Sequence, residues 1–195
     1  TGFALEEAAA EAGLCASAMR SFAEWDAHPH GQAVPTVPVV RITRIGDAPA
    51  RGLAKGDRPL SGVRVLDLTR VIAGPVCGRT LAAHGADVLA VASSRVPNLP
   101  RLITDTGRGK LSCDIDLRDG WGREKLAELL GEADIFVQGY RPGAIAGHGF
   151  APSDAARIRP GIVYVSLSAY GHVGPWSGKR GFDSLVQTAS GFNHA

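Results

Sequence analysis

Excess charge of either sign is nearly absent from this chain: 21 basic residues against 19 acidic ones leave a net charge of +2, with no block of like charge. That excludes a nucleic-acid-binding arm or a polybasic membrane patch. A local cationic pocket for a phosphorylated ligand stays open, because clustering of charge matters more than its total. Cysteine is scarce as well. Cys15, Cys77 and Cys113 are odd in number, far apart and without a C-x-x-C pair or a nearby histidine ligand set, so they read as reduced, structural thiols. No apolar run approaches the roughly 18 residues of a membrane span. The opening TGFALEEAAAEAG carries acidic residues where a secretory signal would be basic. A cytoplasmic protein that binds neither nucleic acid nor membrane is expected.

Several catalytic motifs are missing too. No G-x-G-x-x-G spacing seats a dinucleotide pyrophosphate, and no G-x-x-x-x-G-K-[ST] phosphate loop occurs, which disfavours a nicotinamide dehydrogenase or a nucleotidase. No G-x-S-x-G elbow marks a hydrolase. The histidines at 28, 30, 84, 148, 172 and 194 fall at no persuasive metal-ligand spacing, and the His28-x-His30 pair has no candidate third ligand. No metal site is expected.

What is present is enough apolar content, 45% of 195 residues, for a proper core in one domain or one domain with an appendage. Residues 5 to 14, LEEAAAEAGL, read as a short helix, and a second is expected over Ser21 to Ala27. The prolines of VPTVPVVRITRIGDAP confine that stretch to an edge strand or an extended arm. Residues 47 to 60 read as a linker, and a composition boundary near residue 57 divides a segment 1–56 from a domain 57–195.

Beyond that boundary strands and helices alternate. The near-continuous apolar run VRVLDL, 63 to 68, predicts a strand buried on both faces. A helix starting near Gly74-Pro75 follows, with Gly85 at its end. ADVLAVA, CDIDL, DIFVQ and GIVYVSLSA are further strands, and GREKLAELLGEA is an amphipathic helix with Leu126, Leu129 and Leu130 on one face. This order predicts an α/β fold with a doubly wound parallel sheet.

Ligands of such sheets bind where the strands end at their carboxyl edge. The loops to inspect are therefore TRVIAGP, SSRVPN, GYRPGA and YGHVGPWSGKRGFD. In TGRGK, Arg108 and Lys110 stand among glycines, which suits a phosphate contact or, equally, a solvated loop. GYRPG offers an aromatic face and a cation for a nucleotide-like ligand. It also fits a plain strand-to-helix turn. Asp183, behind Lys179-Arg180, is the one acidic residue of residues 168 to 191.

The segments PLSGVRVLDLTRVIAGPVCGRTLAAHGADVLAV, TGRGKLSCDIDL, ADIFVQGYRPGAI, RPGIVYVSLSAYG and GPWSGKRGFDSLVQTASG together resemble the class III CoA-transferase family, which includes formyl-CoA transferase and α-methylacyl-CoA racemase. The likeness runs in order from about Arg58 to Ser190. It implies a Rossmann-like large domain, an interlocked homodimer, and coenzyme A held as a substrate, with no separate cofactor. Carried over by position, it implies CoA contacts at Val71, Ile72, Ala73, Lys110, Gly139, Tyr140, Arg141, Gly143 and Arg180. The implied substrates are an acyl-CoA and a carboxylic acid, exchanging CoA through an aspartyl intermediate.

Asp183 matches the acidic residue ahead of the family's nucleophile, so it is expected to be a catalytic-pocket residue, with the nucleophile beyond Ala195. The family's racemases carry a histidine base where this chain has Phe182, which cannot carry a proton. That reading, and a non-catalytic CoA-binding or dimerisation module, are the alternatives. Two places depart from the pattern. Ala92 and Ser93 stand where relatives often have a charged pair, so the adenine-side contact is either lost or taken by Arg95, and Gly147 stands where formyl-CoA transferase has an arginine. GLCASAMRSFAEWDAHPHGQAV resembles the closing part of the family's small domain. Placed first, it implies a tandem or fused arrangement from which this chain is a piece.

Overall fold

The computed structural model describes residues 1–96 and 99–195. In chain order the elements are α1 (Gly2–Glu11), α2 (Phe22–Ala27), α3 (Pro29–Ala33), β1 (Arg64–Leu68), α4 (Ala73–Ala83), β2 (Asp87–Ala92), α5 (Pro100–Thr106) and β3 (Lys110–Asp114). There follow α6 (Gly120–Glu132), β4 (Ile135–Gln138), α7 (Pro152–Ile158), β5 (Val163–Ser166) and α8 (Asp183–Ala189). The chain forms two compact units, one of Thr1–Thr43 with Ser168–Ala195 and one of Arg44–Leu167.

The larger unit is a five-stranded sheet in the order β3-β2-β1-β4-β5, parallel throughout. This is the Rossmann-like α/β architecture that the alternation of strands and helices predicts. Strand periodicity sorts the side chains between two faces. Leu66, Leu68 and Phe136 join Leu126, Leu130, Ile145, Phe150 and Ile162 in one core, while Val65, Val88 and Val137 join Ala82 and Ala86 in the other. Leu126, Leu130 and Phe136 are fully buried, and each such side chain contributes about 1.5–3 kcal/mol of transfer free energy. The same alternation places Asp67 on the Val65 face, toward α4, where it is 2% exposed.

Three local expectations differ from the structure, and one pair of alternatives is narrowed. Residues 100 to 106, read as loop, form α5, with Pro100 in the first turn where its missing N–H costs nothing. β3 begins three residues before CDIDL, at Lys110. Of the two alternatives for VPTVPVVRITRIGDAP, the edge strand does not form: a single 3-10 turn covers Val34–Thr36 and the remainder has no regular secondary structure. Val39 and Ile42 there are fully or almost fully exposed, so no sheet edge offers them a partner.

The unit boundary falls at residues 43 and 44 instead of near 57. Ile45 packs on the main core, and Arg51 pairs with Asp134 at 2.7 Å. Residues from Ser168 onward belong with the N-terminal segment.

The smaller unit is built on α1, α2, α3 and α8. Ser21 and Glu24 close a capping box on α2. Buried Glu6 accepts hydrogen bonds from Arg20 and, at 2.9 Å, from Lys179. The Lys179 ammonium also lies 3.6 Å from the centre of the Trp176 ring.

Candidate functional site

In an open parallel sheet the crevice lies where the strand order reverses. Here that point falls between β1 and β4, so the loops at 69–73 and 139–143 flank it. Both loops are anchored in the same way. Asp67 Oδ1 accepts a hydrogen bond from the Thr69 amide at 3.0 Å, and Gln138 Oε1 accepts one from the Tyr140 amide at 2.8 Å. In each case a buried polar side chain near a strand's end turns the backbone two residues later. Gln138, 3% exposed, also donates to the Ser166 hydroxyl on β5.

The first loop is strained. Val71 has φ +71°, a left-handed conformation that a β-branched residue rarely adopts. Ile72 and Ala73 follow as the cap and first residue of α4, and both are exposed. The second loop carries Gly139, whose missing side chain leaves its backbone beside Thr69: a Cβ there would sit 3.7 Å from Thr69 Cγ2. The two loops are therefore adjacent.

Tyr140 is half-buried against the main core, and this burial raises its phenol pKa. Arg141 is exposed, and its guanidinium has no ion pair or hydrogen bond among the described residues. Gly143 has φ +83°, a conformation suited to glycine. The loop is thus a tight turn with a free cation at its tip.

The cations that the sequence groups together are not placed alike. TGRGK precedes β3, so exposed Arg108 lies at the amino edge of the sheet, opposite the strand-end loops. Lys110 starts at that same edge, paired in register with Val88. Its side chain is 3% exposed, and its ammonium donates to Asp67 Oδ2 at 2.7 Å and to the Pro75 carbonyl at 2.8 Å. In this arrangement the Lys110 ammonium faces a carboxylate and is turned away from the surface. Arg95, after β2, lies 3.2 Å from Asp116, whose pKa falls to about 2 chiefly through its hydrogen bonds from Arg118. Pro97 and Asn98 of the SSRVPN loop lie outside the described residues.

In the smaller unit, Arg180 is exposed and has no ion pair among the described residues. Asp183 is exposed and occupies the first position of α8, after Phe182 at the N-cap. Its carboxylate accepts from the Gln187 amide at 2.7 Å, one turn along, and does not cap the helix backbone. His30 is fully buried. Its Nδ1 accepts from the Trp176 N–H at 3.1 Å, so Nε2 carries the proton donated to the Tyr170 carbonyl at 2.8 Å. Burial lowers its pKa, partly offset by that Tyr170 bond, and makes it a neutral core histidine. No three His, Cys, Asp or Glu among the described residues are grouped to hold a metal ion. No helix among them is long and apolar enough to cross a membrane.

A parallel 3-2-1-4-5 sheet with two glycine-bearing loops at its switch point defines a Rossmann-like α/β domain. The chain belongs to CoA-transferase family III, whose sequence profile matches residues 60–195. It is 32% identical over 200 residues to an acyl-CoA transferase of Gibberella moniliformis, a match covering 97% of this chain and 35% of that protein. It is 34% identical to the mouse succinyl-CoA:glutarate CoA-transferase, over 75% of this chain and 39% of the relative. Among solved structures, a CAIB/BAIF family protein from Brucella suis superposes with a TM-score of 0.63 at 31% identity, covering 68% of this chain and 39% of that one. The chain thus spans well under half the length of these relatives.

Asp67, Thr69 and Gln138 shape the site, yet the sequence reads as if they were ordinary strand-end residues. One signal was available. An acidic residue inside VRVLDL, a run otherwise predicted to be buried on both faces, demands a buried partner.

Proposed function

We propose that this chain is the CoA-binding part of an enzyme that moves CoA between an acyl-CoA and a carboxylic acid. The observation that carries the reading is the pair of adjacent loops at the β1/β4 switch point, with the exposed residues Ile72 and Ala73 at the start of α4 on one and the unpaired Arg141 guanidinium on the other. Backbone N–H groups at the start of α4 and a guanidinium suit the anionic groups of CoA. Family membership and the names of the relatives support the same substrate class.

In the proposed reaction an aspartate downstream of residue 195 in the full-length protein attacks the thioester carbonyl and expels the CoA thiolate, leaving a mixed anhydride. The thiolate then attacks the aspartyl carbonyl, releasing the first acid and forming an aspartyl-CoA thioester. The acceptor carboxylate repeats these two steps in reverse order and leaves as the new acyl-CoA. Val71, Ile72, Ala73, Gly139, Tyr140, Arg141 and Gly143 are proposed to hold CoA. Lys110 contributes from beneath the first loop, Arg180 contributes a further cation, and Asp183 lies in the catalytic pocket of an interlocked homodimer.

Two measurements on the full-length protein test this. Titration calorimetry with CoA should show binding that Arg141→Ala weakens about tenfold, the loss of one charge-assisted contact. Trapping with borohydride or hydroxylamine during incubation with acyl-CoA should modify one aspartate, located by mass spectrometry. An unmodified protein that still binds CoA would refute the covalent route.

A further inference from the structure

Lys110 invites the reading of a direct phosphate ligand, but its surroundings suit a different task. Both oxygens of the Asp67 carboxylate are engaged: Oδ1 by the amide and hydroxyl of Thr69, Oδ2 by Lys110. The Lys110 ammonium reaches past Asp67 to the Pro75 carbonyl in the first turn of α4. The helix lies directly on this cluster because two glycines, one turn apart, face it. A Cβ on Gly78 would stand 2.3 Å from Asp67 Oδ2 and 2.8 Å from Lys110 Nζ, and one on Gly74 would stand 2.3 to 2.5 Å from three Thr69 side-chain atoms. No larger residue fits at Gly78 while the ion pair stays where it is, or at Gly74 while Thr69 does.

Between Thr69 and α4 runs the segment that holds Val71 at φ +71°. Such a conformation persists only where the surroundings over-determine it. Here the turn is fixed at both ends: Thr69 is tied to Asp67 on one side, and Pro75 is tied through Lys110 to the same carboxylate on the other.

We propose that Asp67, Thr69 and Lys110 are positioning residues: the buried pair clamps α4 onto the end of β1, holds Val71 in its left-handed turn and so aims the Ile72 and Ala73 backbone at the ligand. This rests on the CoA reading above. It gives Lys110 an indirect role in binding, exerted through the backbone, and recruits Asp67, a carboxylate that would otherwise oppose an anionic ligand.

The test compares the full-length wild type with Asp67→Asn, Lys110→Met and the double variant, by CoA titration calorimetry and by hydrogen exchange of residues 69 to 77. Each single change is expected to weaken CoA binding about tenfold or more, as displacement of a positioned contact does. The double variant should be no worse than the singles, because the two side chains act as one unit. In all three, exchange should accelerate in residues 69 to 77 while α6 keeps its protection, an asymmetry that a general loss of stability would not produce. If a single variant fails to fold because a buried charge is orphaned, the double variant, which removes both charges, decides the matter.

Unchanged or tighter CoA binding in Asp67→Asn, beside weakened binding in Lys110→Met, would overturn the proposal and make the lysine a direct ligand. Unaltered exchange of residues 69 to 77 in the double variant would also overturn it. If the wild type binds no CoA, the functional reading fails, and the exchange result alone decides whether the clamp exists.

Discussion

Among the described residues, each of the two units buries one carboxylate in an ion pair, but they use it differently. In the larger unit the partners of Asp67 are Thr69, just past the end of its own strand, and Lys110, brought across from β3 and bonded in turn to the Pro75 carbonyl of the helix that follows. In the smaller unit Glu6 joins three segments far apart in sequence, through Arg20, 5% exposed, and Lys179, with the Trp176 ring against both cations. The first network shapes a loop on a unit already held by two apolar cores, whereas the second ties together a unit of short helices. A buried ion pair thus has a local role where apolar packing is ample and a global one where it is thin.

The largest effect should come from Glu6→Ala. It leaves buried Arg20 and partly buried Lys179 without their carboxylate and should cost about 3–5 kcal/mol of stability. Urea denaturation of the full-length protein, followed by tryptophan fluorescence from Trp25 and Trp176, checks this. A comparable loss of protection in β1 or β4 would break the contrast between the units.

Leu126→Ala should cost about 2–5 kcal/mol through transfer and cavity terms, because Leu126 is fully buried between α6 and the sheet. Hydrogen exchange should report that loss in the larger unit.

Acid should separate the units next. His30 has its pKa lowered below 6.5 by burial, so it stabilises the smaller unit above that value, and the contribution is lost as pH falls through the folded-state pKa. Glu6 acts in the same direction lower down. Burial works to raise its pKa, but hydrogen bonds from Arg20 and Lys179 outweigh that and lower it below 4.5. In the larger unit, Asp134 is held below 3.8 by the Arg64 amide and Arg159, against its burial. Exchange measured from pH 7 downward should therefore loosen residues 1–43 before β1 and β4. Simultaneous loosening would contradict the comparison.

Asp183→Asn should leave stability unchanged, since an amide oxygen at that exposed position still accepts from Gln187. Turnover of the full-length enzyme should fall about tenfold, or ~1.4 kcal/mol of transition-state stabilisation. Equal kinetics would assign Asp183 to the helix start alone. The smallest effect is expected for Arg118→Ala. Its own side of the pair with Asp116 is solvent-exposed, and the melting temperature should hardly move.

The alternation of apolar strands and amphipathic helices determined the parallel α/β sheet. The reason is local: a strand covered on both faces needs a continuous apolar run, and its crossover needs a helix. Glycine-bearing turns after 68 and 138 marked the loops for the same kind of reason, because turn chemistry is short-range. Tertiary structure alone decided which strands became neighbours, and with them the switch point between β1 and β4. It also decided that Lys110 begins at the amino edge and ends buried on Asp67, 43 positions earlier in the chain. Residues 168 to 195 joined the N-terminal segment for the same reason. Pairing across such distances depends on where the folded backbone brings charges together, and periodicity within a strand or helix carries no record of it.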